Sequence, residues 1–314
     1  MFEQILECIE KYNTVIIHRH KNPDGDALGC QIGLKHLIKE NYPDKRVLCV
    51  GDAAGRFSFM DDSVMDEVSD EEYKGSLAIV LDTSAKALIS DDRYTTAECT
   101  ARIDHHIFCE EIAEIEVTDT SFESCCGLIT ALAMECGWKL NAVAAKSLYT
   151  GMVTDSGRFR YDSTTSKTFR LAAFLMEQEF STADIYRNLY SDDFGFIRLR
   201  AQFVLKIQFC EGKRVAYIYT TAEEVKEYGV DTFTISRGMV NTMGEIRGVD
   251  IWVNFTEADE GVFSEIRSSI YNINPIAKKY GGGGHAKASG ATLKNREEAM
   301  HMLADLIEMT EERI

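Results

Sequence analysis

No C-x-x-C pair occurs in this 314-residue chain, although it contains nine cysteines. Zinc sites and redox pairs are read from that spacing, so Cys125 and Cys126, adjacent at the start of an apolar helix-like stretch, are expected to be reduced core thiols. No segment approaches the run of roughly 20 apolar residues that spans a bilayer. The opening MFEQILECIEKYN carries acid and lacks the apolar stretch of a signal peptide. The expectation is a cytoplasmic protein with no membrane partner. Positive charge is scarce as well: 34 Lys and Arg against 51 Asp and Glu give a net charge of −17. From Lys206 onward 13 basic residues face 17 acidic ones, and before it 21 face 34. Long nucleic acid is bound largely through neutralised phosphates, and no basic track is present to neutralise them. A short anionic substrate remains open, because bound cations and a few placed side chains suffice for it.

What is present reads as a globular α/β chain. Hydrophobic residues make up 45%, and the length allows two domains with cores. TVIIH, RVLCVG, LAIVLD and the shorter ARID read as strands, and ALGCQIGLKHLIKE as an amphipathic helix. GLITALAMEC, AVAAKSLYTGMV and SKTFRLAAFLMEQE continue as helices. This alternation predicts a mostly parallel sheet flanked by helices. STADIYRNLYSDDFGFIRLRAQFVLKIQF contains no proline or low-complexity stretch and reads as a helical connection between domains. Beyond it RVAYIYTT, DIWVNFTE and VFSEIRSSI are strands and REEAMHMLADLIEMTEER a final helix, which predicts a smaller α+β lobe. The boundaries are a first domain over 1–190, a connector over 191–208 and a second domain over 209–314. No internal repeat is visible.

Potential metal ligands sit in four clusters, each where a strand or helix ends: His20, Asp24 and Asp26 in HRHKNPDGDALG, Asp82 after LAIVL, His105 and His106 in RIDHH, and Asp155 in VTDSGRF. Each has a plainer reading. NPDGD alone is a turn between strand and helix, IDHH a solvated strand end, LAIVLDTS a buried strand whose aspartate caps the next segment, and VTDSG a helix C-terminus. Their joint occurrence at consecutive βα boundaries favours a site, because open α/β sheets gather ligands at the carboxyl ends of their strands. Imidazoles and carboxylates in this mix suit hard to intermediate divalent cations of the manganese type. A carboxylate between two such ions about 3.5–4 Å apart can bridge them, and a water shared by the pair loses a proton near neutral pH. In the dyad PDGD, Pro23 and Gly25 shape the turn, so that Asp24 and Asp26 reach toward different metals.

In the second lobe Gly281 to Gly284 precede His285. Consecutive glycines serve where a main chain must come close to a ligand or adopt positive φ, although a flexible turn would use them too. The run is not a P-loop, since no G-K-[ST] ending is present, and no strand precedes it as a dinucleotide motif requires. Arg267, in VFSEIRSS, could simply face solvent, or could donate two hydrogen bonds to a phosphate. Arg158 could equally pair with one of the many acids.

HRHKNPDGDALGCQ, IVLDTS, IDHH and TDSGRF, taken with EIRSS and GGGGHAKASGAT, resemble in order the motifs of the DHH phosphoesterases, named for Asp104-His105-His106. The resemblance covers essentially the whole chain. The HRH opening and Gln31 are most similar to the nano-RNase (oligoribonuclease) and pAp phosphatase branch. Cys30 departs from it, since serine is common there.

The resemblance implies a DHH catalytic domain, a helical connector and a DHHA1 substrate-binding lobe, with the active cleft between the two domains. It implies one metal held by His20, Asp24 and Asp82 and a second by Asp26, Asp82, His105 and Asp155. Two divalent cations are expected, manganese ahead of magnesium or cobalt. Asp82 would be the bridge, and His106 would face the scissile phosphate as a charge-stabilising group or proton donor. Asp104 would orient a histidine through a ring N–H. Arg158, Arg267, Ser268, Gly282, Gly283, Gly284 and His285 would bind substrate. The implied reaction is hydrolysis of short RNA and of 3'-phosphoadenosine 5'-phosphate (pAp) by a hydroxide bridging two metals, in an enzyme compatible with a homodimer. Hydrolysis of linear or cyclic dinucleotide signals such as pApA or c-di-AMP is the alternative within the family. A non-catalytic nucleotide sensor is the alternative outside it, and the intact ligand set argues against that.

Overall fold

A computed structural model of the chain describes residues 1–212 and 214–311. It divides into two units, Met1–Ser191 and Asp192 onward. In the first, strands β1 (Thr14–His18), β2 (Arg46–Cys49), β3 (Leu77–Leu81), β4 (Cys99–Asp104) and β5 (Ile115–Thr118) form one sheet in the order β2-β1-β3-β4-β5. Every neighbouring pair is parallel. β3 and β4 are buried along their whole length, which is why LAIVL is a continuous apolar run rather than an alternating one. Helices α1 (Glu3–Lys11), α2 (Gly25–Asn41), α3 (Asp70–Tyr73), α4 (Cys125–Glu135), α5 (Ala142–Asp155), α6 (Ser166–Leu175) and α7 (Thr182–Tyr190) complete the unit. α1 and β5 go beyond the sequence reading; α1 buries Ile5 and Ile9, one helical turn apart. With β1 between β2 and β3, the winding direction reverses at β1, and the carboxyl ends of β1 and β3 flank the position where such sheets bind ligands.

In the second unit the elements are α8 (Phe194–Lys206), β6 (Gln208–Phe209), β7 (Val215–Thr220), α9 (Ala222–Tyr228), α10 (Thr232–Met239), β8 (Ile251–Ala258), β9 (Gly261–Ser268), α11 (Asn274–Lys279), β10 (Gly283–His285), β11 (Ala288–Leu293) and α12 (Arg296–Glu311). The sheet runs β10-β11-β9-β8-β7-β6. Its β7–β8 pair is parallel and the other pairs are antiparallel. β8 alternates, sending Ile251, Val253 and Phe255 into the core beneath α12 and Trp252 into the core with α10. The stretch read as a connector helps build this second core, because α8 buries Leu199 and Phe203 there. Residues 312 and 313 of the expected final helix lie outside the described residues. The glycine run is not a free turn. Its second half is the edge strand β10, where Gly284 at φ +130° packs so close to β11 that a Cβ would lie 2.6 Å from the Ala288 carbonyl oxygen. Among the described residues, no helix is long and apolar enough to cross a membrane.

Candidate active site

The carboxyl end of β1 supplies the first side chains. Arg19 is fully buried, and its guanidinium donates to Gln31 Oε1 (2.9 Å) and to the carbonyls of His20 (3.1 Å) and Asp52 (2.5 Å). Gln31 of α2 donates in turn to the carbonyls of Ile17 (2.7 Å) and Val50 (2.9 Å), fastening α2 to the ends of β1 and β2. Asn22 turns the chain at φ +54°, a left-handed conformation that asparagine tolerates. Asp24 then caps α2, its Oδ1 accepting from the amides of Asp26 (3.0 Å) and Ala27 (2.9 Å). Gly25 is the first helical residue rather than a turn residue. A Cβ there would lie 2.5 Å from Thr154 Cγ2, so glycine lets α2 approach α5 at the site. Asp26 is buried, and its oxygens accept from the amides of Cys125 (2.7 Å) and Cys126 (2.9 Å) in the first turn of α4. A helix N-terminus favours a carboxylate in that position.

Asp82 follows β3 at φ +50°, a sparsely populated backbone conformation that surrounding structure must hold in place. Its Oδ2 is 3.6 Å from His20 Nε2, and its Oδ1 is 3.5 Å from His105 Nε2. One carboxylate therefore faces ligand atoms on both sides. Asp82 is 2% exposed and its Oδ1 is buried without a hydrogen-bond partner, which is costly unless a positive charge sits beside it. His105 Nε2 also lies 3.3 Å from Asp155 Oδ2 and 3.8 Å from Asp26 Oδ2. Asp155 ends α5, where the helix dipole adds to the negative potential. Ligand atoms of His20, Asp24 and Asp82 lie within 4.8 Å of one another, as do those of Asp26, His105 and Asp155. Asp82, His105 and His106 make a third, overlapping set. His106, however, donates Nδ1–H to Asp104 Oδ1 (2.7 Å) and keeps Nε2 for another partner, with its ring 42% exposed. Asp104 Oδ2 pairs with Arg102 (2.5 Å), both side chains being fully buried.

Crowding of charge shifts the protonation of these groups. Burial opposes a charge on His20, yet Asp24 and Asp82 push its pKa up to about 11. At His105 burial is outweighed in the same way, mainly by Asp82 and Asp26, and the pKa rises to about 10. Burial and the Asp82 charge lift Asp155 to about 7 and Asp26 well above the usual carboxylate range. Asp104, despite burial, is held down to about 2 by His106 and Arg102. Protonated imidazoles thus offset the carboxylates only in part. Divalent cations would displace those protons and satisfy the same oxygens, including Asp82 Oδ1, so the donor set fits them.

The other expected residues fall in both units. Arg158, at φ +64°, stacks over Tyr190 with its guanidinium carbon 3.7 Å from the ring centroid. Arg267 and Gly282 to His285 line a cavity of about 770 Å³ in the second unit. Ser268 is not among the residues lining it: its hydroxyl accepts from the amides of Ile270 (3.2 Å) and Tyr271 (2.8 Å) and donates to the Asp250 carbonyl (3.0 Å). Sequence reasoning missed Arg19 and Arg102, since burial of an arginine leaves no local signal. It also missed the α4 amides that hold Asp26 from about a hundred residues away.

Comparison with known proteins gives a consistent set of matches. Residues 14–152 match the DHH family, N-terminal domain, and residues 215–312 match the DHHA1 domain. The bifunctional oligoribonuclease and PAP phosphatase NrnA of Bacillus subtilis is 36% identical over 309 residues, 98% of this chain and 97% of that one. The protein of the same name from Mycoplasma genitalium is 31% identical, over 97% and 96%. The cyclic-di-AMP phosphodiesterase GdpP of Geobacillus thermodenitrificans is 25% identical over 92% of this chain and 46% of that protein. Among solved structures, an exopolyphosphatase-related protein from Bacteroides fragilis has a TM-score of 0.87 at 25% identity, covering 98% of this chain and 95% of that one.

Proposed function

From the premise that the chain belongs to the DHH family, with a DHH domain followed by a DHHA1 domain, we propose that its substrates are short RNA oligonucleotides and pAp. It is a hydrolase of phosphate esters. The observation that carries the reading is the Asp82 carboxylate, with Oδ2 toward His20 and Oδ1, buried and unpartnered, toward His105. His20, Asp24 and Asp82 would hold one divalent cation, and Asp26, Asp82, His105 and Asp155 a second, with manganese as the ion we favour. When bound, the cations supply Lewis acidity toward the phosphoryl oxygens and lower the pKa of water. Asp104 fixes the His106 ring so that Nε2 can approach an oxygen of the reacting phosphate as charge stabiliser or proton donor. Arg267, the Gly282–Gly284 backbone and His285 would hold the part of the nucleotide remote from the reacting phosphate. A net charge of −17 supports a short substrate rather than long nucleic acid.

A second reading, hydrolysis of dinucleotide signals, is favoured by the match to GdpP. Purified protein with manganese, offered pAp, RNAs of about two to five nucleotides, cyclic dinucleotides and pyrophosphate, tests both through the ranking of kcat/KM. We expect pAp and the short RNAs to lead. Cyclic dinucleotides in first place would replace this reading with the second, and pyrophosphate in first place would overturn both.

A further inference from the structure

The cavity of the second unit has a wall that the expected phosphate-binding residues do not account for. Phe233 and Arg237 lie on α10 four residues apart, hence on one helical face, while Ile235 and Met239 point into the core. Phe233 is 60% exposed at the cavity. The Arg237 guanidinium carbon lies 4.9 Å from the Phe233 ring centroid, and Arg237 Nε donates to Glu265 Oε1 at 3.0 Å. Glu265, on β9, also pairs with Arg267 through its other oxygen at 3.1 Å. The helix beneath is clamped, because the buried Asn254 amide donates to the carbonyls of Ile235 (2.8 Å) and Ser236 (2.9 Å). An aromatic ring with a guanidinium 4.9 Å from its centroid, both held from behind, makes a preorganised platform. Phe233, 60% exposed at the wall of an open cavity, buries little of its ring in the free protein. A base, in contrast, presents a π-face to the ring and to the guanidinium.

We propose that Phe233 and Arg237 form a nucleobase subsite, on which the base of the bound nucleotide stacks while Arg267, His285 and the glycine strand take its phosphate. The proposal rests on the nucleotide phosphoesterase reading and adds where the base goes. Stacking recognises the π-face common to all bases, so the subsite binds purines and pyrimidines with modest preference. Glu265 is a positioning residue here, holding both arginines at the cavity wall.

The test compares pAp with its abasic counterpart, ribose bisphosphate, in the full chain. Wild-type protein should prefer pAp by KM, and Phe233→Ala should raise KM for pAp by about 5- to 150-fold with kcat little altered, closing the gap to the abasic compound. Phe233→Trp should restore the low KM, whereas Phe233→Leu, apolar but without a π-face, should not. Leucine rescuing as well as tryptophan, or an equal loss on both substrates, would overturn the subsite. Should wild-type protein hydrolyse neither compound, the functional reading fails, and calorimetric titration with adenosine monophosphate still decides the subsite. Weaker binding in Phe233→Ala than in Phe233→Trp supports it, and equal binding in the two refutes it.

Discussion

The two units present their candidate functional residues in opposite ways. In the first, Asp26, Asp82 and Asp104 are buried and each is surrounded by amides, imidazoles or a guanidinium. In the second, Phe233, Arg237 and His285 are exposed, and close approach is left to the backbone of a glycine strand. The contrast matches what the two proposed tasks demand. Chemistry needs ligand atoms placed within about half an ångström, so its groups are over-determined by packing and by a second layer of hydrogen bonds. Grip tolerates looser placement and can be spread over several contacts of modest strength. The sheets follow the same division, since a parallel sheet covered on both faces offers a buried crevice at its strand ends, whereas a mixed sheet offers an edge.

The sharpest break in that comparison is Asp82→Asn, which keeps shape and removes the shared charge. We expect kcat/KM to fall by at least about 10²- to 10³-fold, with metal content below that of the wild type by elemental analysis and an unchanged circular dichroism spectrum. Nucleotide binding through the second unit should persist. Normal turnover with full metal content would remove Asp82 from its assigned place.

Metal should also stabilise the two units unequally. An ion at about a hundred times its Kd adds roughly 2.7 kcal/mol to whatever folds around it. The chain has two tryptophans, Trp138 in the first unit and Trp252 in the second, so Trp252→Phe and Trp138→Phe leave one reporter in each. Chelation should lower the melting point seen by Trp138 and leave that seen by Trp252 in place. Equal shifts in both would mean that the two units melt as one, and the comparison would lose its thermodynamic meaning.

Much of the first unit's fold was legible because three of its apolar runs, TVIIH, LAIVL and ARID, end within two residues of candidate ligands, so the punctuation of the βα repeat and the candidate site coincide. The rest was not, for reasons that differ. β5 is four residues long and carries Glu116 in its middle, so it lacks the apolar run that marks the other strands. α9, α10 and α11 are six to eight residues long, too short for helical periodicity to stand out. Gly283–His285 reads locally as a breaker, and only pairing with β11 makes it a strand. Ser268 was singled out with its neighbour Arg267, yet strand alternation turns adjacent side chains to opposite faces, and its hydroxyl is taken up by a turn. Arg102 is hidden for a related cause, since a buried arginine in CTARID is intelligible only once Asp104 and Glu116 are beside it.

On the side of grip, Arg267→Ala and His285→Ala should leave metal content intact and act mainly on KM. A charged hydrogen bond contributes roughly 1.5–3 kcal/mol, so a loss of about tenfold or more is expected from each. Michaelis analysis with pAp and with dinucleotides reads it directly. Unchanged KM for both substrates in both variants would take Arg267 and His285 out of substrate binding.

The smallest effect expected is that of salt, and it bears on which unit governs substrate size. Each neutralised phosphate on a single strand contributes a slope of roughly −0.7 to the dependence of log affinity on log salt. With Arg267 as the cationic contact and His285 as a hydrogen-bond donor, raising salt from about 50 to 200 mM should weaken binding of a trimer by less than about tenfold. Strands of about 20 nucleotides or more should gain nothing over the trimer, because neither unit has a surplus of basic residues to follow the extra phosphates. Initial rates on labelled trimer and long strand, each across a salt series, measure both slopes at once. A long strand degraded as fast as the trimer, with activity falling steeply in salt, would reveal a phosphate track on one of the units and remove the division between a unit that reacts and a unit that holds.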